Sequence, residues 1–431
     1  MVAIIEKESL ALDGENPQNR HLMLDACEFA MNSVLPDALL LNKIRFEKNT
    51  LQVMNRRFKV LGKIFVIGTG KASGNMAQTI EKILPIEKGV VSVPKGSAKS
   101  YSCKKIELID ASHPFPDEGS VLAAKKMIAL SSEVTEKDIV ICLISGGGSS
   151  LLSLPEEGLT LDEKISIVKK VMKAGADITE LNNVRKSLSA IKGGKLAMHF
   201  KKAKIINLVL SDVLGNPLET IASGPTVPGE YTYFDAKEVL EKYGFWDLET
   251  PYCKIIERGI MVGKLPLNFK KTRSIISNFI LGDNSLAVKF AADFLKSRGI
   301  FVKTYQNISG DAKTMGKKFA YLLNKGESFV AGGETTVHVR GDGLGGRNQE
   351  FALSAAMHIR KGTLLSVGTD GVDGVSQAAG AIVDPQTKTL AIGKKLSINE
   401  YLNNNDSYSF FQKIRNCSII TGPTGTNVLT S

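Results

Sequence analysis

Aromatic residues are scarce in this chain, at 6% of 431 residues with a single tryptophan, Trp246. That leaves little material for stacking nucleic-acid bases, although the formal charge is +11. The lysines and arginines are spread in pairs such as Lys104-Lys105 and Lys270-Lys271, without a long basic block, so a basic surface serving a small acidic ligand is the better reading. Cysteines number only five (Cys27, Cys103, Cys142, Cys253, Cys417), an odd count with no CxxC pair. This argues against structural zinc and a disulfide framework and fits a reduced cytoplasm. No apolar run approaches the roughly 20 residues of a membrane span, and the opening residues carry no signal-peptide pattern. A cytoplasmic location, with neither membrane nor nucleic acid as partner, is therefore expected.

Common catalytic motifs are missing too. GTGKAS (Gly68–Ser73) is not a Walker A, which would need glycine at Phe65 and a hydroxyl residue at Ala72. Nor is it a clean GxGxxG, since Ser73 holds the third glycine place; no acidic residue stands in clear position some 20 residues on, around Val91-Ser92-Val93. There is no Gly-x-Ser-x-Gly elbow, which disfavours hydrolase chemistry, and DGVDG lacks EF-hand spacing.

Glycine, by contrast, is plentiful: 40 residues against the about 30 that average usage would give. The excess is clustered, most densely in GGETTVHVRGDGLGGRNQE (Gly332–Glu350), ahead of an apolar helical pattern. Glycine lets a backbone approach a ligand closely, and the following helix would aim free N–H groups and its positive dipole end at the loop. An anion pocket for a nucleotide phosphate is the expectation, lined by Gly332, Gly333 and Asn348, with Glu334 as a Mg²⁺ ligand.

Short β-branched runs ending in Gly, Ser or Asp recur at Lys63–Gly74, Asp138–Leu152, Ile205–Asp212, Ser328–Glu334 and Thr363–Asp370. Helical patterns alternate with them, at Asp162–Lys173, Ser285–Arg298, Ala312–Leu323 and Gln349–Arg360, after an early helical stretch over 18–45. This grammar predicts parallel α/β layers with ligands beyond the carboxyl ends of the strands. The chain length makes two domains the default, with the crossing in the site-poor stretch Thr232–Thr272.

At the first run, Gly68 and Gly70 lead to Lys71, a point cation at a helix start suited to an anion or a transferring phosphoryl group; a solvated lysine would read the same way. Ser145, Gly146, Gly147, Gly148 and Ser149 form an N–H-rich nest for phosphate or carboxylate. SHPFPD (Ser112–Asp117) is a proline-stiffened turn bearing His113, for which a structural role is the commoner fate. Arg185 and Lys192, around a Gly-Gly break, could serve an acidic substrate. Asp212 ends a strand, where it could take a hydroxyl proton or cap a turn. Asp370 sits in GTDGVDG as a second Mg²⁺ candidate, and TGPTGTN supplies Thr424 and Asn427 in a small-residue loop.

Taken in order, GTGKASGNMA, SHPFPD, LISGGGSSLL, NNVRKSLSAIKGGKLA, LSDVLGNPLETIASGPTVP, GGETTVHVRGDGLGGRNQEFAL, GTDGVDG and TGPTGTNV resemble the class II glycerate kinases. This is the glycerate 2-kinase family, whose C-terminal part is called MOFRL. The resemblance spans residues 68–428, departing at Asn216, where many members have Asp. It implies two α/β/α domains, a Rossmann-like one over 1–235 and a MOFRL-type one over 236–431, with the active site in a cleft between them. It also implies ATP- and Mg²⁺-dependent phosphorylation of D-glycerate to 2-phosphoglycerate, with the family's functional lysine, aspartate and arginine falling on Lys71, Asp212 and Arg347. A homodimer is compatible with it. The competing readings are a hydroxypyruvate reductase, a kinase yielding 3-phosphoglycerate, and a non-catalytic nucleotide sensor on the same fold.

Overall fold

A computed structural model describes residues 4–6, 9–10, 14, 16–229, 231–263, 275–414, 416–426 and 428. The chain forms two compact units, residues 40–281 and residues 1–39 with 282–431. The expected division at 235/236 differs from this one. Residues 236–281 belong with the first unit because the helices Tyr233–Lys242 and Pro251–Met261 close a core with Leu161–Lys173 and Ile178–Ser187. Trp246 packs against that core, and residues 1–39 go with the C-terminal half.

The 40–281 unit opens with an antiparallel sheet of β1 (Ile44–Glu47), β2 (Thr50–Val53) and β3 (Arg56–Lys59). Lys48 and Asn49 both have positive φ (48° and 56°), the backbone a tight two-residue hairpin requires. The predicted helical stretch accordingly ends sooner, as two helices, Pro17–Ser33 and Pro36–Lys43. The main sheet contains β4 (Ile64–Thr69), β5 (Ile86–Pro94), β6 (Ile106–Ala111), β7 (Ile139–Ile144), β8 (Lys204–Leu210) and β9 (Ile276–Gly282). Its order is β6-β5-β4-β7-β8-β9, and every pairing from β6 through β8 is parallel. β4 and β7 are buried along their whole length, which is why both read as unbroken apolar runs. The chain winds outward from β4 to β6, then returns to lay β7 on the other side of β4. The carboxyl ends of β4 and β7 are thus a topological switch point, where open α/β sheets bind ligands.

In the other unit β10 (Lys303–Asp311) and β11 (Phe329–Thr336) pair in parallel. β12 (Leu364–Val367), β13 (Gly380–Val383) and β14 (Ser418–Ile419) instead form an antiparallel sheet. The parallel reading of Thr363–Asp370 is corrected here: β12 is only 4 residues long, with Ser366 among Leu364, Leu365 and Val367, and so short a run looks the same in sequence whichever way its partner runs. The helices Ala312–Asn324 and Arg347–His358 pack together, with Phe319 against Tyr305, Phe329 and Phe351. The helix Pro17–Ser33 meets the helix Asn284–Ser297 through Phe29, Phe290 and Phe294.

Candidate active site

At the switch point the loops after β4 and β7 are laced together. Ser145 N–H donates to Thr69 O (3.0 Å), Lys71 N–H to Gly146 O (2.8 Å) and Ala72 N–H to Ser145 Oγ (3.0 Å). Gly70 has φ +133°, and a Cβ there would stand 2.1 Å from Ser145 Oγ, so no other residue fits. Lys71 leaves this lacing half-buried, ahead of the helix Ser73–Ile83. Gly147, at φ +77°, starts the short helical turn Gly148–Leu151. A Cβ on Gly147 would lie 3.1 Å from His113 Cδ2 and 3.2 Å from Lys71 Cγ. Asp212 follows β8 on the same edge, half-buried, beside the turn in which Ser211 Oγ donates to Val213 O (3.2 Å). Asn216, the departure from the family pattern, is held at φ +56°, a conformation Asn and Asp both tolerate.

Several residues expected to touch ligand face inward instead. Ser145 is buried and spends its hydroxyl on Ala72. Gly68 lies within β4, where a Cβ would come 2.8 Å from Leu143 O. The ammonium of Lys192 is buried and donates to Ser149 O (2.7 Å), Ser149 Oγ (3.2 Å) and Leu152 O (3.2 Å). Lys192 thus tethers the SGGGSS turn, because the carbonyls ending so short a helix have no helical partners. Ser149 Oγ also meets Ser223 Oγ (2.8 Å), which donates to Asn182 Oδ1 (3.3 Å). Ala222 and Ser223 both have positive φ (53° and 59°), strain that holds this hydroxyl in place.

Beneath the turn lies an excess of positive charge. Burial pushes Lys192 well below the usual lysine range, and the charges of Lys164, Arg185 and Lys186 add to the shift. Arg185 is half-buried and lowered by desolvation; Lys195 is paired with Glu156 at 2.7 Å. Lys164 is brought down to about 7 by burial first and by Lys195 second. Between pH 7 and 10.5 the unfolded lysine binds the proton that the folded one releases, so stability rises with pH across that window. Below it the burial penalty is complete. Lys164→Met should therefore be more stable than wild type at pH 6, by an amount on the order of 3 kcal/mol. The gap should close as pH nears 10, read by thermal denaturation at both pH values.

In the other unit Arg347 begins the helix Arg347–His358 and donates from Nη1 to Glu334 Oε1 at 2.5 Å. Glu334 is thus engaged by a cation, not poised for a metal. The expected phosphate pocket at this helix N-terminus is corrected as well. The buried Asp373 carboxylate accepts from Asn348 N–H (3.0 Å), Asn348 Nδ2 (3.0 Å), Gln349 N–H (2.9 Å) and Gln349 Nε2 (3.1 Å). The anion that the helix dipole favours is therefore the protein's own. Desolvation nonetheless raises the pKa of Asp373 from its ordinary value. Asn348 is buried too, and its Oδ1 accepts from Ser366 (2.9 Å).

The glycines of this region answer to packing. A Cβ on Gly332 would stand 2.1 Å from Asn284 Oδ1, and one on Gly333 2.0 Å from Ile308 O. Gly341, Gly343 and Gly345 lie against Asn404, Asp406 and Ser407. Asn405, itself at φ +52°, accepts from Arg340 N–H (2.7 Å) and Gly341 N–H (3.2 Å) while its amide donates to Glu350 Oε2 (3.0 Å). Sequence reasoning passed over Asn404–Asp406, although a run of Asn and Asp is a turn signal. Asp370 and Thr424 do come together: Thr424 N–H donates to Asp370 O (3.2 Å) and Thr424 Oγ1 to Thr369 O (2.6 Å). Asn427 lies outside the described residues. Among the described residues no three His, Cys, Asp or Glu side chains gather as a metal centre.

The family profile described as a domain of unknown function (DUF4147) matches residues 22–257, and that of the MOFRL family matches residues 327–430. The chain is 38% identical to a glycerate 2-kinase of Pyrococcus horikoshii over 415 residues, covering 93% of each. It is 37% identical to a D-glycerate 2-kinase of Thermotoga maritima over 430 residues, covering 95% of this chain and 96% of that one. The chain belongs to the class II glycerate kinase family. A crystal structure of the Thermotoga maritima glycerate kinase superposes with a TM-score of 0.82 at 34% identity, over 95% of this chain and 97% of that one. As a member of this family the protein is a kinase with two α/β domains. Among its described residues no helix is long and apolar enough to cross a membrane.

Proposed function

We propose that this glycerate kinase family member transfers the γ-phosphoryl group of ATP to the 2-hydroxyl of D-glycerate, giving 2-phospho-D-glycerate and ADP. The observation that carries the reading is Lys71 standing beside the Gly146–Ser149 turn at the β4/β7 switch point, where a parallel sheet binds anions. The names of the relatives point to the same chemistry.

Asp212 takes the proton as the glycerate oxygen attacks phosphorus and the bond to the β–γ bridging oxygen breaks. Lys71 and Arg347 neutralise charge on the transferring group, since phosphoryl transfer asks chiefly for positioning and electrostatic support. Glycerate's carboxylate rests against the SGGGSS turn, with Arg185 as the half-buried cation of that region; Lys192 serves it by holding the turn. The nucleotide is held by the loops carrying Asp370 and Thr424. Mg²⁺ is commonly held by one or two carboxylates plus substrate phosphates. Asp370 would hold it, and the ion would neutralise phosphate charge.

³¹P NMR of the protein with ATP, Mg²⁺ and D-glycerate tests this. A new phosphomonoester coupled to the C2 proton is expected. A 3-phosphate signal would overturn the regiochemistry alone. The absence of any new resonance from folded protein would overturn the substrate.

A further inference from the structure

We propose that His113 is a further catalytic residue, its imidazole donating a hydrogen bond to an anionic oxygen of the bound substrates beside Lys71. This rests on the kinase reading of the switch-point site.

His113 follows β6, two strands away from β4 in the sheet. A turn serving only to join β6 to its helix could remain at that edge. Instead it is built to reach back. Asp117 anchors its far end, accepting from Ser112 N–H (3.1 Å), Ser112 Oγ (2.6 Å) and Ser120 N–H (3.1 Å), the last as the cap of the helix Glu118–Leu130. Its middle is bound to the anion turn, because Ser150 Oγ donates to Pro114 O at 2.6 Å. The imidazole between these two fixings touches the same point as Lys71. A Cβ on Gly147 would lie 3.1 Å from His113 Cδ2, 3.4 Å from His113 Nε2 and 3.2 Å from Lys71 Cγ.

His113 is exposed, so it is no packed core histidine and apolar burial does not account for its placement. Gly147, in the left-handed region at φ +77°, puts no side chain against the imidazole. Loops from β4, β6 and β7 thus bring the stem of a lysine, an imidazole and an N–H-rich turn around one spot. That is donor chemistry for a carboxylate or a phosphoryl oxygen.

His113→Ala and His113→Gln, checked as folded by circular dichroism, test the assignment. His113→Ala should lose on the order of 10²-fold in kcat/KM for D-glycerate, as removal of one preorganised donor does. His113→Gln, which keeps a donor at similar reach, should recover a large part. A rise in KM for D-glycerate would place the contact at the carboxylate, and a fall in kcat would place it at the phosphoryl group. An alanine variant as active as wild type, or a glutamine variant no better than alanine, would overturn the role. Should wild type make no phosphoglycerate, the kinase reading fails separately. The imidazole resonance missing from His113→Gln would then be followed in wild type during titration with inorganic phosphate. It should shift, and an unmoved resonance would overturn the anion contact itself.

Discussion

Replacing Lys71 with alanine is expected to lower turnover on the order of 10²- to 10³-fold while the fold survives. Fold and function separate here because of which atoms do what. The lacing of the two loops runs through the Lys71 backbone N–H, which donates to Gly146 O at 2.8 Å, and through the hydroxyl of Ser145. Alanine keeps both. What it removes is the ammonium that would neutralise charge as the phosphoryl group passes between oxygens. Because that charge is greatest in the transition state, the loss should appear in kcat more than in KM. Lys71→Arg keeps the charge but lengthens and flattens the head group, in a place where the chain runs close to Gly147 and His113. It should recover only part of the activity. Steady-state kinetics with D-glycerate and ATP would decide, and an alanine variant with wild-type kcat would remove Lys71 from the mechanism.

The parts of this molecule that were legible in sequence share one physical property. β4 and β7 are buried along their whole length, so their runs are unbroken; β8 is buried after Lys204 and carries one polar residue, Asn207, within it; the polar residues ending all three mark the sheet edge. β10 was not legible, because Lys303–Asp311 is exposed along most of its length and its core-facing residues, Tyr305 and Ile308, do not alternate as a strand's would. The hairpins of β1–β3 were hidden by their short strands and by a turn made with Lys48 and Asn49 in place of glycine. Glycine density misled in a more instructive way. The Gly341–Gly346 cluster was read as room for a ligand, yet its missing side chains make room for Asn404–Ser407 and Asp373. A glycine reports that something comes close, and sequence alone does not say whether that is a ligand or another strand of the same chain. Lys192 carries the same lesson for charge. A lysine after a basic helix reads as a substrate cation, but this one ties off carbonyls of the anion turn from within.

Arg20→Ala should be the most destabilising single change among the charged residues of the unit built from 1–39 and 282–431. Arg20 lies in the helix Pro17–Ser33 with 2% of its surface exposed. Its guanidinium donates from Nε to Leu10 O (2.8 Å), from Nη1 to Asp384 Oδ2 (2.6 Å) and from Nη2 to Asn416 O (2.5 Å). One side chain thereby fastens an N-terminal helix to two segments more than 360 residues away. Asp384, itself 1% exposed, uses its other oxygen to cap the helix Pro385–Gly393 through Gln386 and Thr387. Removal of the arginine would leave that carboxylate buried without its counter-charge, a loss of about 3–5 kcal/mol. Asn caps a helix as well as Asp does. Asp384→Asn introduced into the Arg20→Ala background should therefore recover part of the loss, the coupling being read as a double-mutant cycle in urea. If Arg20→Ala cost less than about 1 kcal/mol, the level of an exposed pair, the helix would be held by its apolar face alone.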